Sequence, residues 1–177
     1  MKYVALLRGI NVGGNNKVPM SELKTCVEEL GFENVSTYIN SGNVIFEADK
    51  TKESDLALKI EKAIHVHFGF PVQVVVRSQK NIEKVAKTIP EDWENEIHKT
   101  DILFLWDEYA SKKSLRLIEP KEGIDNLIYT NGAIVWNLDR KNYSKSAMNR
   151  FIGTELYKNM TARNVNTVRK LFDLMKD

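Results

Sequence analysis

Two segments far apart in the chain read as the same hairpin, and that repetition limits the fold more than any single motif does. Residues 35–39 (VSTYI) and 43–48 (NVIFEA) flank Asn40, Ser41 and Gly42, while residues 126–130 (NLIYT) and 133–138 (AIVWNL) flank Asn131-Gly132. An Asn-Gly pair between such runs signals a hairpin because both central residues of its tight turn need positive φ. Laid side by side, Tyr38, Asn40, Gly42, Ile45 and Phe46 fall near Tyr129, Asn131, Gly132, Ile134 and Trp136. The context repeats too: a short apolar strand precedes each hairpin, YVALL at 3–7 and ILFLW at 102–106.

Periodicity supplies the other elements. In the first half, Met20, Leu23, Val27 and Leu30 share one helical face, with Pro19 at a first helical position and Gly31 as stop. A second helix over 53–68 turns Leu56, Ile60, Ala63 and either Ile64 or His67 inward, and VQVVVR at 72–77 follows as a strand. The order β-α-β-β-α-β is the split βαβ, or ferredoxin-like, arrangement. After a connector with one short helix, Pro90 and an acidic cluster around Trp93, the second half gives a strand, a helix over 108–117 and the Asn-Gly hairpin. It then ends in two helices, over 144–158 and 162–176, where a complete copy would place a final strand. The expectation is an α+β protein, an imperfect duplication of a ferredoxin-like unit with two C-terminal helices. Its parts are a half over 1–77, a connector over 78–100 and an incomplete half over 101–177. Strand 3–7 is apolar on both faces up to Arg8, so its sheet is expected to be covered on both sides.

At 177 residues, 42% hydrophobic and 28% charged, the composition suits a globular protein and excludes disorder and fibre. No leader and no membrane-length apolar run is read, and a single cysteine, Cys26, allows no internal bridge; a reducing, cytoplasmic setting is expected. Net charge is +2, too small for a general nucleic-acid binder. It is unevenly spread: residues 78–139 carry eight basic and twelve acidic side chains, residues 140–177 nine and three. The basic tail is either a solvated helix surface or an anion-binding face.

One candidate site stands out. Residues 8–17 (RGINVGGNNK) join a strand to a helix N-terminus, where free N–H groups and the helix dipole favour an anion. Gly9, Gly13 and Gly14 would let the backbone approach a ligand, Arg8 and Lys17 would neutralise it, and Asn11 and Asn15 add polar groups. The run fits neither the phosphate-loop nor the dinucleotide pattern, and the same composition also suits a tight connection with positive-φ glycines and capping asparagines. Asn40, Ser41 and Asn43 would supply neutral donors and acceptors at the same sheet edge. A third contribution would come from Arg163 and Asn164 beside a helix capped by Thr161, with Lys145 in a basic stretch before it.

RGINVGG, TYINSGNV and TARNVNTV, in this order and in a chain of this length, resemble the bacterial family called domain of unknown function 1697. That resemblance covers essentially the whole chain and implies two ferredoxin-like halves in a bacterial protein; it brings no reaction, cofactor or catalytic residue. Val165 stands where the resemblance implies a tryptophan.

Three functions follow as expectations. The first is binding of a phosphate-bearing small molecule or nucleotide at the residues named. The second is an enzyme acting on such a ligand, with Glu47, Asp49, Asp107 or Lys145 as base; no nucleophile signature identifies a reaction, the catalytic residues and cofactor stay unknown, and no metal is expected from His65, His67 and His98. The third, less favoured, is an RNA-binding or protein-interaction module, for which Tyr3 and Phe46 would be the base-stacking platform.

Overall fold

The computed structural model describes residues 1–176 and divides into two compact units, Met1–Lys80 with the residues from Leu174 on, and Asn81–Asp173. Each contains one four-stranded antiparallel sheet.

In the first unit, β1 (Lys2–Leu7) leads to α1 (Met20–Glu28), the hairpin of β2 (Glu33–Tyr38) and β3 (Asn43–Glu47), then α2 (Glu53–Phe68) and β4 (Val74–Ser78). The sheet order is β2-β3-β1-β4, so the hairpin lies on one side of β1 and β4 on the other. Leu23, Cys26 and Val27 of α1 and Leu56, Ile60 and Ile64 of α2 close over Tyr3, Ala5, Leu7, Val44, Phe46, Val74 and Val76. The rings of Phe32, Phe46 and Tyr3 stack in series, with centroid separations of 4.6 and 5.7 Å. On the other face Val4, Leu6, Ile45 and Val75 are buried as well, as the doubly apolar strand requires.

The second unit takes in most of α3 (Gln79–Thr88), then β5 (His98–Leu105), β6 (Asn126–Thr130), β7 (Ala133–Asp139), α4 (Met148–Phe151), α5 (Glu155–Lys158), β8 (Met160–Asn164) and most of α6 (Val165–Met175). Its order is β6-β7-β5-β8. Three expectations change here. The helix over 108–117 is two 3₁₀ turns, Asp107–Tyr109 and Lys112–Leu117, because Ser111 is extended and Ser114 Oγ returns to the Tyr109 carbonyl at 2.6 Å. The helix over 144–158 is a 3₁₀ turn, Arg140–Lys145, followed by the short α4 and α5, interrupted at Gly153 (φ 92°) and restarted by Thr154, whose Oγ1 accepts the Tyr157 N–H. The helix over 162–176 starts only at Val165: residues 160–164 pair with β5 from Leu105↔Met160 to Asp101↔Asn164. The second half therefore has a fourth strand in place of the expected helix, and the helix cap is Asn164, accepting from Thr167 N at 2.8 Å, rather than Thr161.

Matching contacts recur in the two units. Leu7 N donates to the Gly42 carbonyl at 2.8 Å, and Leu105 N to that of Gly132 at 2.9 Å. Buried Arg77 and Arg163 each curl back to the preceding carbonyl, Val76 or Ala162, at 2.8 Å, and they pair in register with Val4 and Ile102.

Candidate functional site

The residues expected at the loop after β1 fold into a small hairpin of their own. Ile10 and Val18 are buried and clamp its base, while 11–17 are exposed throughout. Asn11 N donates to the Asn16 carbonyl and Asn15 N to that of Val12, both at 3.1 Å, which closes the finger. Gly13 and Gly14 form its tip with φ of 58° and 80°, the two left-handed residues that a type I′ turn demands. A Cβ at either would meet nothing within 4 Å, so backbone conformation rather than crowding calls for glycine there.

Asn11 holds the finger to the sheet. Its Nδ2 donates to the carbonyls of Val18 (3.0 Å) and Asn40 (2.9 Å), and its Oδ1 accepts from Val18 N (2.8 Å). Asn16 Nδ2 reaches the Gly9 carbonyl at 3.2 Å, and Arg8 N donates to that of Gln73 at 2.9 Å. The finger and the β2–β3 turn are thus one assembly at the C-terminal edge of β1. Within the turn, buried Asn43 donates to the Tyr38 carbonyl (2.8 Å) and Ser41 Oγ (3.2 Å). Gly42 is there for close approach: a Cβ would lie 2.7 Å from Ile10 Cδ1 and 2.8 Å from Leu7 Cβ.

Asn11, Asn16 and Asn43 are therefore engaged by the backbone. What remains outward is Asn15, Lys17 and Asn40, whose side chains make no hydrogen bond or ion pair among the described residues, together with the backbone N–H groups of Gly13 and Gly14. Arg8 is half-buried at the base. No carboxylate occurs from Arg8 to Ser21 or from Asn34 to Phe46.

Lys145, Arg163 and Asn164 belong to the second unit. Arg163 is buried, which lowers its guanidinium pKa to about 10, and its Nη1 donates to Thr161 Oγ1 at 2.9 Å and to the Ala162 carbonyl. Lys145 and Asn164 are exposed, but the Asn164 side chain is spent as a cap, which leaves Lys145 as the one of the three with an uncommitted side chain among the described residues. Tyr3 and Phe46 are 1% and 0% exposed and face the helices, so they offer no platform for bases. Burial, with Glu29 nearby, pushes the Cys26 thiol up and keeps it protonated. Among the described residues no group of three His, Cys, Asp or Glu could hold a metal ion.

Sequence reasoning passed over Asp125. Its Oδ1 accepts from Trp136 Nε1 (3.0 Å) and Ser146 Oγ, and its Oδ2 from the N–H groups of Lys121 (2.8 Å) and Ala147 (2.9 Å). Nothing in the pattern GID before a strand announces such a hub.

The chain is a mixed α and β protein with two four-stranded antiparallel sheets, and no helix among the described residues is long and apolar enough to cross a membrane. It belongs to the family described as a protein of unknown function (DUF1697), whose model matches residues 1–136. It is also similar to a solved structure described as the conserved bacterial protein SP0830 from Streptococcus pneumoniae. That relative is 30% identical, with a TM-score of 0.86 over 99% of this chain and 98% of that one. No curated protein matches.

Proposed function

We propose that the first unit binds a phosphate-bearing small molecule or nucleotide on the Arg8–Lys17 finger and the adjoining Asn40–Ser41 turn. One observation carries this reading: the finger and the turn, joined by Asn11, present two cations and free N–H and amide donors at an edge with no carboxylate from either segment. Arg8 and Lys17 would neutralise the phosphate, the N–H groups of Gly13 and Gly14 would bond its oxygens, and Asn15, Asn40 and Ser41 would take hydroxyls. Arg163 and Asn164 are left out, since their polar atoms serve their own strand and helix. We further read the two units as copies of one ferredoxin-like unit, on the shared strand order and the repeated Leu-to-Gly contact. The lone cysteine supports a reducing, cytoplasmic setting.

Binding is favoured over catalysis because the carboxylates expected as bases in the first unit, Glu47 and Asp49, lie away from the finger, while Glu61, which stands nearer that edge, is engaged by Val74 N at 2.8 Å. β3 starts at the turn with Asn43 and ends at Glu47, so Glu47 stands at the opposite end of the strand, roughly 13 Å away, with Asp49 beyond it. Neither is within proton-transfer reach of a ligand on the finger. The test is a thermal-shift and calorimetric panel of nucleotides and sugar phosphates. A compound that stabilises the protein, and loses about tenfold or more in affinity in both Arg8→Ala and Lys17→Ala, supports the site. No shift with any phosphate compound, or a shift indifferent to both substitutions, overturns it.

A further inference from the structure

The second unit carries a surface that the finger does not explain. From Arg140 to Thr154 the chain has four cations, Arg140, Lys141, Lys145 and Arg150, and no carboxylate. Tyr143 stands among them, 40% exposed, with Lys99 Nζ 5.9 Å from its ring centroid. We propose that this 3₁₀ turn and the start of α4 bind single-stranded nucleic acid, the phosphates held by Arg140, Lys145 and Arg150 and a base stacked on Tyr143. This is independent of the finger's ligand.

The charges are not all equal. Lys141 pairs with Asp139 at 2.9 Å and Lys99 with Asp101 at 2.6 Å, so these two are largely neutralised. Lys145 and Arg150 are exposed and have no partner among the described residues. Arg140 donates from Nε to the Glu96 carbonyl at 3.0 Å, which fixes its stem without cancelling its charge. Three effective cations therefore share the segment from Arg140 to Arg150 with one exposed ring, Tyr143.

The segment is also held in place. Arg140 N donates to the Ile97 carbonyl at 2.9 Å, Asn149 Nδ2 to the Tyr143 carbonyl at 2.7 Å, and Ser146 and Ala147 are pinned by Asp125. A solvated loop needs none of this, whereas a stacking platform gains by being ordered before its ligand arrives. An aromatic face flanked by cations favours nucleic acid over an acidic peptide, because each base offers a π-face and each linkage a phosphate.

Fluorescence anisotropy of a labelled oligouridine of about twelve nucleotides tests this. Three phosphate contacts predict a salt slope near −2, hence roughly 20-fold weaker binding at about 200 mM than at 50 mM salt. Lys145→Gln with Arg150→Gln should cut the slope to about −0.7. Tyr143→Ala should weaken binding about tenfold with the slope unchanged, while Tyr143→Phe keeps wild-type affinity. Both Tyr143 variants change an exposed side chain, and circular dichroism checks that they fold. No binding at low salt overturns the proposal. Binding that ignores Tyr143→Ala, or that polyglutamate displaces as well as RNA does, also overturns it and makes the patch a general polyanion surface.

Discussion

The C-terminal edges of β1 and β5 are built alike and finished differently. In both, the last leucine of the strand donates to the hairpin glycine, Gly42 or Gly132. In the first unit an asparagine amide then ties turn to connection, Asn11 reaching Asn40. In the second a phenol does so, Tyr129 OH donating to the Ala110 carbonyl at 2.7 Å and accepting from Gly132 N at 3.2 Å. The first edge goes on into an exposed finger without acids; the second runs into Trp106, Asp107 and Glu108, with Glu155 bonded to Tyr109. The two edges thus differ in charge: the finger and turn of the first carry no acid, whereas the second gathers Asp107, Glu108 and Glu155.

The largest expected effects are at Asp125 in the second unit and Gly42 in the first. Asp125→Ala would strand the Trp136, Ser146, Lys121 and Ala147 donors together, costing about 3 kcal/mol in chemical denaturation. Burial raises the Asp125 carboxyl, but its four hydrogen bonds outweigh that and hold it below its ordinary 3.8. Its contribution is therefore complete above pH about 4 and fades as pH falls through the lowered folded value. The gap between wild type and variant should close in that acid window, and a gap independent of pH would show that packing, not charge, is lost.

Next come the glycines, which separate crowding from strain. Gly42→Ala meets Ile10 and Leu7 at under 3 Å and keeps φ at 79°, so about 3 kcal/mol is expected. Gly13→Ala meets nothing and should cost about 1 kcal/mol. Equal melting shifts for the two would mean that the turn relaxes away from Ile10.

Removing the ties is milder. Asn11→Ala deletes three hydrogen bonds on a partly exposed loop, for about 2 kcal/mol, and Tyr129→Phe deletes two, for about 1 kcal/mol. Amide exchange at the neighbouring turns should rise in that order, and a larger effect from Tyr129→Phe would reverse the assignment of which edge depends more on its tie.

Much of this was legible in the residues. Period-2 and period-3.6 patterns fixed the first unit, and the Asn-Gly turn located the second hairpin. β8 escaped because five residues ending in a good cap read as the start of a helix; only pairing with β5 makes them a strand, and that partner lies far away in sequence. The short helices around Gly153 were merged because a basic, polar stretch has no apolar period to break. At the site, position along the chain could show that Arg8, the glycines and the asparagines lie near a sheet edge. It could not show that Asn11, Asn16 and Asn43 are consumed by carbonyls while Asn15, Lys17 and Asn40 are free, because both groups have the same composition and differ only in backbone direction.

That distinction gives the smallest effect on stability and the cleanest on function. Lys17 is exposed and has no hydrogen-bond or ion-pair partner among the described residues, so Lys17→Ala should change unfolding free energy by less than about 0.5 kcal/mol. In the second unit Glu155, on the acidic edge, is a matched control: Glu155→Ala removes a charge of opposite sign from the corresponding end of the other sheet. If a phosphate compound binds the finger, Lys17→Ala should weaken it about tenfold with its stability unmoved, and Glu155→Ala should leave its affinity alone. A gain in affinity in Glu155→Ala that matches the loss in Lys17→Ala would mean that affinity follows net charge rather than place, and the contrast between the two edges would then carry no functional meaning.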